Sequence, residues 1–299
     1  MSLIWSSGFN GITDPDAQVY IAAVEEADGE PLEGAVAFAI SNFIVGCKQD
    51  GIWDAIKACC ILAGARTLNG ALVPLVKQPA DAAPTRFGTE GGWDYSRETG
   101  LQGNGTDNYI NSGRANNADP PDNFHMSTWV SEAAILGGYY MAANIATSWS
   151  SGILNDPGNT RERWSNRSAN IDQYTPSTHN TTGFKGNTRN NNSTFSVRTT
   201  GSNFTPTGGS LSSFTPEPSN IYLFARNGTS GVPAGFISGR LAFYSIGESL
   251  DLEKLDNRTT RLMNLITYAL TPDLPPITTM DLDAANYIGA AYRAGGTLS

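Results

Sequence analysis

One strand that runs straight into one amphipathic helix constrains this chain more than any other feature. In Arg240–Leu270 (RLAFYSIGESLDLEKLDNRTTRLMNLITYAL), Leu241, Phe243 and Tyr244 form a short apolar, aromatic run that Gly247 breaks. Ser249 is the expected N-cap, and Asp251 and Glu253 fall in the first helical turn, where the helix dipole favours acids. Leu252, Leu255, Leu262 and Ile266 then recur at helical spacing until Pro272 forbids continuation. A helix with one apolar stripe, fed directly by a strand, is expected to lie against the sheet that the strand joins. Upstream, Ile221–Arg226 (IYLFAR) followed by Asn-Gly predicts a second strand ending in a turn.

Residues 13–66 read as a three-helix module, preceded by an arm at 1–12. The first helix is capped by Thr13 or Asp14, has Pro15 in its first turn, carries Ala17, Tyr20, Ile21 and Val24 on one face and stops at Gly29. The second places Val36, Ile40, Phe43, Ile44 and Cys47 on one stripe. A third is expected after Asp50-Gly51, with Ile52, Trp53, Ile56, Cys59, Cys60 and Ala63 at helical spacing and Gly64 at its end. If Trp53 is buried as that spacing implies, removing its ring costs about 3–5 kcal/mol. Tyr20, Ile21 and Trp53 are the expected assembly residues of this module.

From Leu68 the period changes. Leu68–Val76, Tyr109-Ile110 and Phe124–Val130 (FHMSTWV) read as strands, separated by segments dense in Gly, Asn, Asp and Pro. Residues 155–220 are poor in large aliphatics, yet Trp164, Tyr174, Phe184, Phe195, Phe204 and Phe214 return through them, which favours short strands with polar outer faces over disorder. No strand alternates with a long helix here, so a parallel βαβ sheet is not expected. The fold class expected is mainly β: an antiparallel jelly-roll β-sandwich over 67–272, with the N-terminal three-helix module and a C-terminal docking helix.

IYLFARNG, a short Gly/Pro loop and RLAFYSIGESL with its closing helix resemble the C-terminal end of the concanavalin-like, laminin-G-like jelly rolls of tailed-phage virion proteins. DYSRETGLQGNGTDNYINSG resembles the first half of the same family, so the resemblance covers most of residues 13–270. It implies a structural protein of the virion, in a fibre, collar, tail or head appendage, presenting a lectin-like domain to host surface glycans. Such a protein assembles in the host cytoplasm with other virion proteins and with copies of itself. A capsid decoration protein that binds no glycan and a polysaccharide-degrading enzyme are the alternatives.

A net charge of −9 and a pI near 4.7 argue against nucleic acid as a partner, because phosphate binding needs a basic surface. No window reaches the length of a membrane span, and the N-terminus lacks a basic region followed by a long apolar run, so neither membrane insertion nor a secretory leader is expected. Cys47, Cys59 and Cys60 read as small core residues in a reduced compartment, with a disulfide from Cys47 to either of the others, or to another chain, as the alternative. Neither His125 nor His179 sits in a nucleophile–base motif, and the acidic run Glu25–Glu30 ends a helix instead of lining a strand, so no catalytic residue and no enzyme activity are expected. No cofactor is expected. Asp107, Asp119 and Asp122 are loop oxygen donors that leave calcium open without an ordered ligand pattern. For a sugar, Trp149, Trp164 and Tyr174 are candidate platforms, with Arg161 and Arg163 as polar partners.

The tail holds a repeat. A shift of 267 residues lays residues 13–29 (TDPDAQVYIAAVEEADG) on 280–296 (MDLDAANYIGAAYRAGG), with Asp14/Asp281, Asp16/Asp283, Tyr20/Tyr287 and Ile21/Ile288 among the identities. A Pro-rich linker (TPDLPPITT) opens the 273–299 segment that carries this partial copy of the first helix. Tyr287 and Ile288 need an apolar cover, and a neighbouring subunit is the expected one.

Overall fold

The computed structural model describes residues 12–89, 91–145, 149–168, 173–176, 180–228, 231–271, 283 and 288–289; side chains at 144, 145, 149, 150 and 173–176 fall outside the description. The first two helices form as their patterns dictate. In α1 (Pro15–Asp28), Asp14 caps the N-terminus by accepting from the Asp16 and Ala17 amides, and Gly29 closes the helix at φ 74°. Ala17, Tyr20, Ile21 and Val24 are its buried residues. In α2 (Gly34–Gln49), Val36, Ile40, Phe43, Ile44 and Cys47 are buried. Lys48 ties the two together, 2.7 Å from Asp14 and 2.6 Å from Asp16.

The third helix of that module does not exist. Trp53–Ala55 is a single 3₁₀ turn, and Ile56–Ile61 is strand β1, antiparallel to the strand 240–247 from Ile56 opposite Gly247 to Ile61 opposite Phe243. Ala58, Cys60 and Leu62 point into one core, and Cys59, Ile61 and Ala63 into another. A strand buried on both faces reads as a continuous apolar run, which periodicity does not separate from a buried helix. Trp53 is only half-buried, with Lys48 5.5 Å from its ring, so the large burial energy expected of it does not arise. The anticipated boundary at residue 66 therefore falls within one sheet's strands, and the helices are folded on the sandwich instead of standing apart. A four-residue helix, α3 (Leu68–Ala71), follows β1 where a strand is expected.

The remaining strands, in chain order, are β2 (Val76–Lys77), β3 (Thr85–Phe87), β4 (Asp94–Ser96), β5 (Gly100–Gln102), β6 (Tyr109–Ala115), β7 (Phe124–Glu132), β8 (Gly138–Ile145), β9 (Trp149–Asp156) and β10 (Arg161–Ser168). They continue with β11 (Gln173–Pro176), β12 (Gly183–Arg189), β13 (Ser196–Thr199), β14 (Ser202–Phe204), β15 (Asn220–Leu223), β16 (Arg226–Asn227), β17 (Pro233–Ala234) and β18 (Arg240–Gly247). Two sheets result. One runs β14-β13-β12-β7-β18-β1-β2, with β5 on β18 and β4 on β5; the other runs β11-β10-β9-β8-β15-β6-β3, with β16 against β8 and β17 against β16. The pairing is antiparallel apart from β16 on β8. The protein is a mainly β sandwich.

A helix, α4 (Leu252–Leu270), lies with α1 and α2 over the outer face of the first sheet, so that this sheet is covered on both sides. Its N-cap is Asp251, which accepts from the Glu253 and Lys254 amides. Ser249, the residue expected there, instead donates its amide and hydroxyl to Asn123 Oδ1. The last residue of β18 is Gly247, where a Cβ would stand 2.1 Å from the carbonyl oxygen of Ala55 in the turn before β1. Phe43 and Phe243 meet edge to face at 5.5 Å between helix layer and sheet. The inter-sheet core holds Leu101, Ile110, Phe124, Met126, Trp164, Leu223, Tyr244 and Ile246. Cys47, Cys59 and Cys60 are buried and free.

In the tail, Ile288 packs against the helical core of its own chain, a Cβ on Gly289 would meet the Asn264 carbonyl oxygen at 1.9 Å, and Asp283 lies 3.1 Å from Arg261. The cover for Ile288 is thus intramolecular, through α4, where a neighbouring subunit was the expectation; Tyr287 lies outside the described residues. None of the described helices is long and apolar enough to cross a membrane. We expect Phe243→Ala to cost about 3–5 kcal/mol and Trp53→Ala less than about 2 kcal/mol in urea unfolding, because only the first empties a closed core.

Candidate functional site

The five residues singled out for sugar binding do not form one site. On β10, alternation sends Arg161 and Arg163 to the outer face of their sheet and Glu162 and Trp164 inward. Trp164 is completely buried in the inter-sheet core and serves as packing, because a ring of that size contributes most when closed off from water. Arg163 pairs with Asp156 at 2.6 Å, and Arg161 lies 3.6 Å from the same carboxylate. Asp156 is held below the usual carboxylate range by Asn159, Arg163 and Arg161, which outweigh its burial. Tyr174 stands opposite Arg163 in register. Trp149 begins β9, whereas Asp156 ends it, so the two occupy opposite ends of one strand. The side chains of Trp149 and Tyr174, and all of His179, lie outside the described residues. Of the assembly residues, Tyr20 and Ile21 are interior to this chain.

The three candidate calcium donors are spent separately. Asp107 accepts from Thr89 and Asn104 at 2.6 Å each, Asp119 faces Arg114, and Asp122 accepts from Ser213. Among the described residues no three His, Cys, Asp or Glu side chains gather as metal ligands.

Sequence reasoning missed a polar interior. Between β10 and β12, Lys185 meets Glu162 with both side chains fully enclosed, Thr181 accepts from the amine at 2.7 Å, and Thr199 donates to the carboxylate at 3.2 Å. Burial pulls the Lys185 amine below its ordinary value, although Glu162 opposes the shift. Arg189 donates to the carbonyls of Asn166, Asn191, Thr194 and Leu211, and Arg167 to those of Asn116, Asp119 and Pro120. Arg167 also lies 4.0 Å over the Phe124 ring. These guanidiniums fasten loops to the sandwich, and no local pattern announces them.

His125 and Ser245 form a nucleophile-like pair, yet both are sealed from solvent. The Glu248 carbonyl only accepts, so His125 Nδ1–H donates to it at 2.5 Å; Ser245 then donates to Nε2 at 2.9 Å, and Ser127 to Ser245 at 2.8 Å. Burial pulls the imidazole down to about 4, with the Glu248 carbonyl opposing.

Among the described residues no helix lies over the outer face of the second sheet, and that face is aromatic. Phe87 on the edge strand β3 stacks on Tyr109 at 4.8 Å and 10°, Tyr109 meets Tyr222 at 4.7 Å, and Phe236 stands 6.4 Å from Tyr109. Phe87 is 42% exposed, and Tyr109 and Phe236 are half-buried. Burial, helped by Tyr222, raises the Tyr109 phenol above its ordinary value. Further along the face, the Arg226 guanidinium lies 5.8 Å over the Tyr139 ring, beyond which come Leu154, Asp156 and Arg163. A solvent-facing antiparallel face is ordinarily polar, and this row of rings departs from that pattern. Phe87, Tyr109, Tyr222 and Phe236 come from four distant segments. Only Tyr109 and Tyr222 fell in strands expected from the sequence.

No protein-family model matches the chain, and no curated protein matches it. Solved structures similar to it include a mutant Trypanosoma rangeli sialidase displaying trans-sialidase activity (TM-score 0.46, 11% identity, 75% of this chain and 39% of that one). Another is the binding domain of botulinum neurotoxin serotype D (0.42, 12%, 69% and 51%). A third is domain 4 of AbnA, an extracellular GH43 arabinanase of Geobacillus stearothermophilus, in complex with arabinotriose (0.36, 10%, 60% and 88%). The chain spans about two-fifths of the sialidase and half of the toxin domain. Sialidases stand among these neighbours, against the expectation that the chain is not an enzyme.

Two outcomes follow from the buried charges. Because His125 is neutral in the fold at about 4 and titrates near 6.5 when unfolded, its contribution is complete above pH 6.5 and is lost as pH falls toward 4. That loss is about 3 kcal/mol, and His125→Gln should flatten the stability profile by one proton over this window. Lys185→Met should cost about 3–5 kcal/mol in denaturant unfolding, whereas Lys185→Met with Glu162→Leu recovers most of it.

Proposed function

We propose that this chain is a carbohydrate-binding β-sandwich of a tailed-phage virion, and that the open sheet is its ligand face. The observation that carries the reading is the stacked pair Phe87 and Tyr109, backed by the buried Tyr222, on a face that no described helix covers. Rings offer the apolar side of a sugar a flat partner, and Asn111, Arg226 and Arg163 on the same face supply groups for its hydroxyls. The placement on a virion is supported by the likeness of IYLFARNG and RLAFYSIGESL to the jelly rolls of that class. In this reading the helix-covered side faces other virion proteins or copies of the same chain, and the open sheet faces the host. A capsid decoration role is the second reading, favoured by the exposed pair Ile135 and Leu136 on the β7–β8 loop, 82% and 73% accessible.

Binding of the purified chain to a glycan array and to host cell-wall polysaccharide tests the proposal. Phe87→Ala with Tyr109→Ala should weaken binding about tenfold or more, equivalent to about 1.4 kcal/mol. Absence of any glycan bound, with stable attachment to capsid shells instead, would transfer the protein to the decoration role.

A further inference from the structure

The helix-covered sheet carries a cavity that the open face does not explain. It has a volume of about 360 Å³ and lies where α4 leaves the ends of β7, β12 and β18 uncovered. Trp129, Val130, Ala242 and Met263 form its apolar wall, and Glu98, Ser131, Thr182 and Thr267 stand around it. Its size is near the lower end of small-molecule pockets, roughly 300–1,000 Å³, and suits one ring with its substituents better than an oligomer.

The polar groups define the ligand. Ser131 donates its hydroxyl hydrogen to the Thr99 carbonyl, and Thr267 donates to the Met263 carbonyl at 2.9 Å, so both turn only oxygen lone pairs to the cavity. Glu98 accepts from Ser96 at 2.8 Å through one carboxylate oxygen and keeps its other acceptor sites. The neighbouring Arg97 is directed elsewhere, onto Glu33 and the carbonyls of Gly64 and Ala65. An indole wall beside an acceptor-rich rim, with a carboxylate as the one charged lining group among the described residues, selects a ligand with an apolar face and several hydroxyl donors, and it repels anions.

We propose that this cavity is a second saccharide site, taking a single non-anionic pyranose with its apolar face toward Trp129 and a hydroxyl pair donating to Glu98. The site is on the opposite sheet from the Phe87–Tyr109 row and does not depend on it.

Saturation-transfer NMR and tryptophan fluorescence titration of the full chain with galactose, N-acetylglucosamine, glucosamine and glucuronate test it. The first three should include a binder, with glucuronate at least tenfold weaker. Glu98→Gln should weaken that binder about tenfold, and Thr182→Trp, which plugs the exposed mouth, should abolish it; both positions are on the surface and leave the fold intact. Phe87→Ala with Tyr109→Ala should leave monosaccharide binding at the cavity unchanged while lowering glycan-array binding, which separates failure of this site from failure of the open face. Binding of none of the four sugars at 10 mM on the order expected for weak sites, binding unaffected by the plug, or a preference for glucuronate would overturn the proposal.

Discussion

Everything else in the molecule depends on β18 being closed in on both faces. Its eight residues, Arg240–Gly247, are all buried, with Phe243 and Ala242 turned to the helices and Tyr244 and Ile246 to the opposing sheet. β1 and β7 flank it and close its hydrogen bonds. A strand in that position contributes to two cores at once, so a fault in its register would move side chains between cores and damage both. Gly247 then lets the chain leave the sheet against the Ala55 carbonyl, and α4 begins five residues later with its apolar stripe already over the strand that delivered it.

The other half of the sandwich is held differently. Residues 155–220 bring few aliphatics, and their share of the interior is filled by Trp164, Phe184, Phe195 and Val197 together with Glu162, Lys185, Arg167 and Arg189. A buried charge is tolerable only when its hydrogen-bonding groups are answered, and here backbone carbonyls and one opposing carboxylate answer most of them. The gain is geometric as much as energetic. Each guanidinium joins several loop carbonyls at fixed angles, so loops rich in Asn, Ser and Thr acquire defined positions that hydrophobic contact alone would leave degenerate.

Among the described residues, helices cover one sheet and not the other, which gives the sandwich two unlike sides. The covered side carries the chain's helical contacts and the Glu98–Trp129 cavity at its margin. On the other side Phe87 and the half-buried Tyr109 stand where solvent-facing strands normally carry polar residues, stacked on each other and, through Tyr109, against the buried Tyr222.

Helices buried along one stripe were legible in the sequence. α1, α2 and α4 are legible because each presents an apolar stripe at helical spacing, with Asp14, Gly29 and Pro272 marking ends. The sandwich class follows from short aromatic runs between turn residues. Only the tertiary structure decided that Ile56–Ile61 is a strand, since a segment buried on both faces loses the alternation that would name it. Only the tertiary structure placed Trp164 in the core and Phe87 on the open face, because strands look alike until their sheet acquires an inside and an outside. The ring-bearing face belongs to the same class of facts. Rings from residues 87, 109, 222 and 236 become neighbours through strand order, and strand order is set by long-range pairing energy that no local stretch of sequence contains.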